Sequence, residues 1–282
     1  MRWKGREQSG NVEDRRGIGT GKMVAGGTIG TLAIVLIVWL LGGNPAQILN
    51  NLQSSGSEST VADSAVIRAE AELAEFTKVI LKDTEDIWKK IFSDGGQTYR
   101  EPTLVLFSNS VESACGYSSA ATGPFYCPGD EKVYIDLSFL QQLQSQLGAT
   151  GDFAMAYIIA HEVGHHVQKQ LGITGKLEEL RGRVSQTDYN QYTVKLELQA
   201  DFLAGVWAHY ENTLKNVLEE GDLEEAMNAA SAVGDDRIQM QSQGYVVPDA
   251  FTHGTSEQRR SWFMKGYQTG DLNQGDTFST ID

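Results

Sequence analysis

Residues 157–168 read YIIAHEVGHHVQ, a segment in which two histidines stand four positions apart within an apolar pattern of helical period. On a helix, His161 and His165 lie one turn apart on the same face, so both imidazoles can bind one metal ion. Glu162 is turned about 100° away from His161, so it lies beside the ion and can take a proton from a metal-bound water. The segment therefore predicts a metal-dependent hydrolytic site on a helix.

A second helical segment, residues 193–207, reads TVKLELQADFLAGVW and carries two acidic residues one turn apart. Catalytic zinc commonly takes two histidines and one carboxylate, and its fourth position is open to water. Glu197 fits the third ligand position. Asp201 can accept the ring N–H of a ligating histidine and so fix its tautomer. Together the two segments predict one Zn²⁺ per chain, held by His161, His165 and Glu197.

The rest of the pattern predicts an α+β fold. Apolar residues recur at helical spacing from residue 65 to 92, and helical patterns dominate again from residue 152 onward. Between these regions, Thr103–Phe107 and Lys132–Asp136 are short apolar runs typical of buried strands. The chain from residue 65 to 282 is of single-domain size, so we expect one domain that combines helices with a small sheet.

The N-terminal part has a different character. Residues 1–22 contain six basic and three acidic side chains, a net charge of +3, and Met23–Leu41 reads MVAGGTIGTLAIVLIVWLL. Nineteen helical residues span roughly 28 Å, close to the thickness of the hydrocarbon core of a bilayer. A cleavable signal peptide is the rival interpretation, but its apolar region is usually shorter and ends in a small-x-small site. We therefore predict a retained transmembrane helix over residues 23–41.

The charge distribution predicts an orientation for this helix. Basic residues accumulate on the cytoplasmic side, so residues 1–22 are expected to form a cytoplasmic tail. Residues 42–64 are rich in Gly, Ser, Asn and Gln and are expected to be a flexible linker. The domain over residues 65–282 would then lie outside the cytoplasm. The net charge of the whole chain, −14, argues against nucleic acid as the main partner.

The only two cysteines, Cys115 and Cys127, bracket a loop that contains Gly, Ser and Pro. Outside the cytoplasm, a disulfide between them is the expected state. A metal role is disfavoured, because the two thiols have no further ligands nearby in the sequence.

The motifs together make the chain similar to the bacterial putative neutral zinc metallopeptidase family, whose zinc ligands follow an H-E-x-x-H and E-x-x-x-D pattern. The resemblance runs nearly the full length and includes the basic N-terminus with its single span. It is carried by His161–His166, Glu197–Asp201, and the further segments Cys127–Pro128, Val133–Phe139, Gly234–Asp236 and Phe251–Ser256. Members often have cysteines where this chain has Phe202 and Gly275, so a second disulfide is expected to be missing.

The resemblance implies a zincin-like metallopeptidase domain, with a small antiparallel or mixed sheet and active-site helices. By analogy, an edge strand above the active-site helix would hold a peptide substrate in extended form, and Lys132–Asp136 is the candidate strand. The negatively charged oxygen of the tetrahedral intermediate, the oxyanion, needs a hydrogen-bond donor. His253 is the leading candidate for that donor. The alternative for His253 is a turn histidine that bonds local backbone. Tyr157 and Tyr245 are weaker candidates for the donor.

The other histidines are expected to have structural roles. His209 lies too far along the helix from Glu197 to bind the same ion. His166 points off the metal face, so it is expected to flank the cleft or to meet solvent.

Two functions are compatible with the sequence. The first is a zinc-dependent metalloendopeptidase anchored in the cytoplasmic membrane of a bacterium, with its catalytic domain on the extracytoplasmic side. The second is a non-catalytic protein-binding or chaperone-like module on a zincin fold in the cell envelope. The intact Glu162 favours the enzyme, because a module that only binds has no need of a general base. Nothing in the sequence predicts the oligomeric state.

Overall fold

The computed structural model describes residues 1–16, 59–119, 122–139 and 151–279 of the chain. The fold is α+β, mostly helical, with a small mixed sheet. The strands are β1 (Val12–Asp14), β2 (Thr103–Phe107), β3 (Ser110–Ser113), β4 (Gly116–Ser119), β5 (Phe125–Cys127) and β6 (Lys132–Asp136). The α-helices are α1 (Ser59–Asp94), α2 (Asp152–Gln170), α3 (Ile173–Leu180), α4 (Gln186–Tyr210), α5 (Asp222–Ala232), α6 (Asp235–Gln243) and α7 (Ser256–Thr269).

The main sheet has the strand order β1-β2-β6-β5, and β3 and β4 form a separate antiparallel pair. Within the main sheet, β1 and β6 both run parallel to β2, and β5 runs antiparallel to β6. Both predicted strands are confirmed with the predicted bounds, Thr103–Phe107 and Lys132–Asp136. The choice of Lys132–Asp136 as an edge strand is wrong, because β6 has β2 on one side and β5 on the other. The edge nearest the histidine helix is β5.

Alternation along the strands divides the core into two layers. Leu104 and Leu106 of β2 point into the main core together with side chains of α1 and α2. Val105 and Phe107 point to the opposite face, where a smaller cluster includes Cys127 and Tyr134. Helix α2 is buried along almost its whole length, because it is covered by the sheet, α1, α4 and α5.

Small residues allow α2 and α4 to approach closely. A Cβ atom at Gly164 would lie 3.1 Å from the backbone oxygen of Ala200. The space that Gly164 leaves beside the two histidines is therefore filled by the second helix. Farther along α4, Gly205 meets α7, where an added Cβ would lie 2.0 Å from the backbone oxygen of Phe263. These contacts fix the distance between the helices that carry the two sequence motifs.

Residues 1–16, which were predicted to form a tail separate from the domain, pack against the domain. β1 pairs with β2 in the main sheet, and Trp3 is buried against Phe76 of α1 with ring centroids 5.3 Å apart. The sequence hides this contact because the strand is three residues long and two of its residues are acidic. Helix α1 begins at Ser59, so residues 59–64 of the predicted linker are helical, and residues 42–58 lie outside the described part of the chain. The compartment of these residues stays a prediction.

The transmembrane helix predicted over residues 23–41 lies outside the described residues. In the part of the chain that the structure describes, no helix is both long and apolar enough to cross a membrane.

The predicted disulfide is confirmed, since Cys115 and Cys127 are paired. It ties the start of β4 to β5. The positions expected to have lost a second disulfide also lie together. A Cβ atom on Gly275 would lie 2.5 Å from the ring of Phe202, so the aromatic side chain occupies the space beside the glycine.

Candidate metal centre

The two helical motifs meet at one point. Nε2 of His161 lies 3.2 Å from Oε2 of Glu197, and Nε2 of His165 lies 3.5 Å from Oε1 of the same carboxylate. One donor atom from each of the three residues lies within 4.8 Å of the others, a spacing at which one ion can contact all three. The group that the sequence assigns to zinc is therefore brought together, and two imidazoles with one carboxylate are the donor set of catalytic zinc sites.

The Nδ1 atom of each imidazole, on the side away from the cluster, also has a hydrogen-bond partner. Nδ1 of His161 contacts Oδ1 of Asp201 at 2.8 Å, and Nδ1 of His165 contacts Oε1 of Gln168 at 2.9 Å. Because both partners accept hydrogen bonds, each ring places its proton on Nδ1 and directs the lone pair of Nε2 at the cluster. Gln168 in turn donates to the backbone oxygen of Leu196 on the second helix. Asp201 lies where the sequence predicted it, next to Nδ1 of a histidine. The corresponding contact of Gln168 with His165 was not predicted from the sequence.

Arg259 on α7 completes the support behind the histidine. Its side chain is buried and contacts both carboxylate oxygens of Asp201, at 2.8 and 3.0 Å. The hydroxyl of Tyr157 also donates to Asp201. Tyr157 is buried and engaged there, which weakens it as a donor for an oxyanion. Arg259 stands 58 residues from Asp201 in the chain, so its place at the site depends on the tertiary fold.

The charges in the cluster favour a bound cation. Burial alone would lower the pKa of His161, but the charge and hydrogen bond of Asp201, with Glu197, raise it to about 10. The pKa of Glu197 lies well below its usual range, because the attraction of His165 and His161 outweighs its burial. The pocket thus holds positive charge strongly between its carboxylates. A divalent metal ion supplies that charge when the imidazoles are neutral.

Glu162 and His253 face the same cleft, whose volume is about 550 Å³. Burial raises the pKa of Glu162, and the neighbouring histidines partly oppose that shift. The His253 side chain is half exposed, and its Nδ1 lies 3.3 Å from Oδ1 of Asp235. This hydrogen bond raises the pKa of His253 and favours its protonated form. Asp235 also accepts the backbone N–H groups of residues 252–254, so it holds the whole turn.

The other candidates lie elsewhere. His209 bonds the backbone oxygen of Tyr267, as expected for a structural histidine. The expectation that His166 flanks the cleft or meets solvent is wrong. It is fully buried between Tyr126 and the backbone of Arg100. Tyr245 is largely exposed and does not line the cleft.

The model of the putative neutral zinc metallopeptidase family matches residues 1–278 of the chain. The chain belongs to this family. The match extends over the N-terminal segment and both metal-binding motifs, so it covers every element described above. No solved structure matches the chain.

Two relatives are similar to this chain over most of their length. The uncharacterized protein YpfJ of Escherichia coli (strain K12) is 48% identical over 287 residues, which cover 99% of each chain. The uncharacterized protein Rv2575 of Mycobacterium tuberculosis (strain ATCC 25618 / H37Rv) is 39% identical over 260 residues, covering 86% of this chain and 85% of the relative.

Proposed function

We propose that this family member is a zinc-dependent metalloendopeptidase that hydrolyses peptide bonds. The observation that carries the proposal is the convergence of His161, His165 and Glu197 at the floor of a cleft, with Glu162 beside them and outside the ligand set. Zinc bound in such a site lowers the pKa of a coordinated water toward about 7 and polarises a substrate carbonyl.

Glu162 is the proposed general base and acid. It follows His161 directly on α2, so the helix holds its carboxylate next to the metal-binding nitrogen atoms. In that position it can accept a proton from the attacking water and deliver it to the leaving amine. Its burial excludes competing solvent from the carboxylate.

His253 is the proposed donor to the oxyanion. It lines the cleft, and Asp235 stabilises its protonated state, in which Nε2 carries a hydrogen. A charged donor fixed before the reaction stabilises the negative charge that develops on the carbonyl oxygen. Removal of a single such donor typically costs about 10²–10³ in kcat.

The substrate is proposed to lie along β5. Residues 123–126 line the cleft, and β5 is the edge strand of the sheet beside α2. An edge strand can pair with an extended peptide through backbone hydrogen bonds. Such binding requires no free terminus on the peptide, so it favours cleavage at internal bonds.

The cellular location is a separate part of the proposal. We infer that the catalytic domain works outside the cytoplasm and is attached to the cytoplasmic membrane of a bacterium through residues 23–41. The disulfide between Cys115 and Cys127 supports an oxidising compartment. The apolar composition of Met23–Leu41 supports the attachment.

The test is hydrolysis of a quenched peptide library by the zinc-loaded full-length chain, compared with Glu162→Gln. We expect the variant to keep its zinc, because Glu162 is a base and not a ligand. Its activity should be about 10²–10⁴-fold lower than that of the wild type. Glu179→Gln, an exposed site on α3, is the matched control and should retain activity. If the zinc-loaded wild type is no more active than Glu162→Gln, the proposal fails and a binding module becomes the better account.

A further inference from the structure

His166 is a buried histidine next to a metal ligand that the proposed chemistry does not use. Its Nε2 lies 2.6 Å from the backbone oxygen of Arg100, and its Nδ1 lies 2.9 Å from the hydroxyl of Tyr126. A backbone oxygen can only accept, so the ring proton is on Nε2. Nδ1 therefore accepts the hydroxyl hydrogen of Tyr126.

Tyr126 is the middle residue of β5, the strand along which the substrate is proposed to lie. It is held at two points. Its side chain donates to His166, and its backbone N–H lies near the carboxylate of Glu162 and favours the charged form of that group. Burial raises the pKa of the Tyr126 phenol, so the hydroxyl keeps the proton that it donates. The two contacts link one strand residue to two residues of α2.

We propose that His166 and Tyr126 are positioning residues that clamp β5 to α2 and thereby hold Glu162 and the substrate-binding edge in register. The proposal rests on the proposed peptidase function. Helix α2 carries His161, Glu162 and His166 within six residues, so a strand fixed to His166 is also fixed relative to the metal-binding nitrogen. Movement of β5 would change the position of the Tyr126 N–H relative to Glu162 and of the cleft edge relative to the base.

Three variants separate the two hydrogen bonds of His166. Tyr126→Phe keeps the ring and removes the hydroxyl. His166→Gln can still donate to the backbone oxygen of Arg100 but lacks an acceptor where Nδ1 lies. His166→Asn presents its amide oxygen near the Nδ1 position, so it can still accept from Tyr126.

With the zinc-loaded full-length chain, we expect Tyr126→Phe and His166→Gln to lower kcat about tenfold, less than the roughly hundredfold cost of a 1 Å misplacement. KM should change by less than about twofold, because β5 stays paired with β6. The double variant should be no worse than either single one, and His166→Asn should restore most of the rate. Wild-type kinetics in Tyr126→Phe, or additive losses, would overturn the clamp.

Amide hydrogen exchange supplies a readout that does not depend on catalysis. Residues 125–127 should exchange faster in Tyr126→Phe and His166→Gln than in the wild type or His166→Asn. Unchanged exchange in all variants would contradict the clamp even if the rates fell. An inactive wild type with the expected exchange pattern would instead remove the peptidase function and leave the clamp in place.

A second inference comes from the N-terminal segment, defined as residues 1–16. Its basic side chains, whose charge pattern predicts an orientation in a membrane, have partners in the domain. Arg6 contacts Asp83 at 2.6 Å and Glu211 at 2.9 Å. Lys4 pairs with Glu72 on α1. The Met1 amino group contacts acidic side chains at the start of α2 and α5.

The end of this segment lies at α1. Arg16 approaches the backbone oxygen of Glu70 at 3.4 Å, so residues 16 and 70 are neighbours on the same surface. A single crossing of a bilayer between Arg16 and Ser59 would place the N-terminal segment and the domain on opposite sides. β1 could not then pair with β2. We infer that the N-terminal segment lies in the same compartment as the catalytic domain, which departs from both the single transmembrane crossing and the cytoplasmic tail that the sequence predicts.

Paired reporter cysteines test this inference in intact bacteria that express the full-length chain. Glu7→Cys probes the N-terminal segment and Asp94→Cys probes the domain, and both side chains are exposed. Because Cys115 and Cys127 are paired, an impermeant maleimide should react only at the introduced thiol. We expect both sites to label alike, either before or only after lysis. Labelling of one site and protection of the other in intact cells would overturn the inference.

Discussion

Two buried acidic clusters in this molecule are neutralised in different ways. At one, Asp83 and Glu211 surround Arg6 and Lys215, so the positive charge comes from the chain itself. At the other, Glu197 is contacted by the imidazoles of two histidines, which carry charge only when protonated. The first cluster ties the N-terminal segment to α1 and to the helical turn Glu211–Lys215 that follows α4. The second joins α2 and α4 at the floor of the cleft.

The difference distinguishes a structural ion-pair network from a metal site. A guanidinium and an ammonium keep their positive charge at neutral pH, so the first cluster contains its own counter-ions. When the imidazoles are in the neutral form that binds a metal, the second cluster has a net negative charge and lone pairs directed at one point. A divalent cation completes that arrangement. Substitutions in the two clusters should therefore affect different properties, stability in one and metal affinity in the other.

The largest expected effect is on metal affinity at the second cluster. Glu197→Gln removes one of the three ligands, so zinc affinity should fall by more than the roughly 10–100-fold that the loss of an outer partner costs. Competition with a chromogenic chelator measures it, and Glu179→Gln serves as the control. Unchanged zinc affinity in Glu197→Gln would show that the carboxylate is not a ligand.

The next effect is on stability at the first cluster. Arg6→Met leaves Asp83 and Glu211 buried with only Lys215 as a partner, so we expect a loss of about 3 kcal/mol in the free energy of unfolding. Lys4→Met removes an exposed, solvent-screened pair and should cost much less than Arg6→Met. Urea unfolding measures both variants. Equal losses would mean that the first cluster contributes no more than a surface pair does.

Asp201→Asn tests the support behind the metal ligand. The amide cannot act as a charged acceptor for Nδ1 of His161, so zinc affinity should fall about 10–100-fold while the three ligands remain. The chelator competition measures this fall, with the exposed Asp94→Asn as control. A full loss of zinc would place Asp201 among the ligands, and no change would remove its role.

The smallest effect is a pH dependence at the first cluster. Burial, together with the nearby Asp83, raises the pKa of Glu211 to about 7. The folded state then binds a proton that the unfolded state has released, so this group lowers stability as the pH rises from about 4.5 to 7. Glu211→Gln removes the titration. Its stability relative to the wild type should increase between pH 5 and pH 8, measured by urea unfolding at both values.

If the difference in free energy of unfolding between Glu211→Gln and the wild type did not change with pH, the raised pKa of Glu211 would be contradicted. If that difference decreased as the pH rises, the pKa of Glu211 would be lowered and not raised in the folded state.

Sequence reasoning found the parts of the site that depend on local spacing. His161 and His165 are one turn apart on one helix, and Glu197 and Asp201 are one turn apart on another, so helical geometry alone brings each pair onto one face. Arg259 was missed, because its contact with Asp201 depends on how α7 packs against α4.

The sheet shows the same limit. The strand Lys132–Asp136 was predicted with its correct bounds, but its place in the sheet was not, since strand order depends on which segments pair with it. β1 and β5, each three residues long, carry too weak a pattern to be found from sequence. The basic residues of the N-terminal segment were assigned to membrane orientation, because the acids they pair with, such as Asp83 and Glu211, are distant in sequence.

X-ray absorption at the zinc edge of the zinc-loaded full-length chain tests the central claim most directly. The account predicts one zinc per chain with two imidazole nitrogens at about 2.0–2.1 Å and the remaining ligands oxygen. His161→Ala and His165→Ala should each remove one imidazole from the spectrum or abolish binding. A zinc ion bound without imidazole scattering, or a full-length chain that binds no zinc, would contradict it.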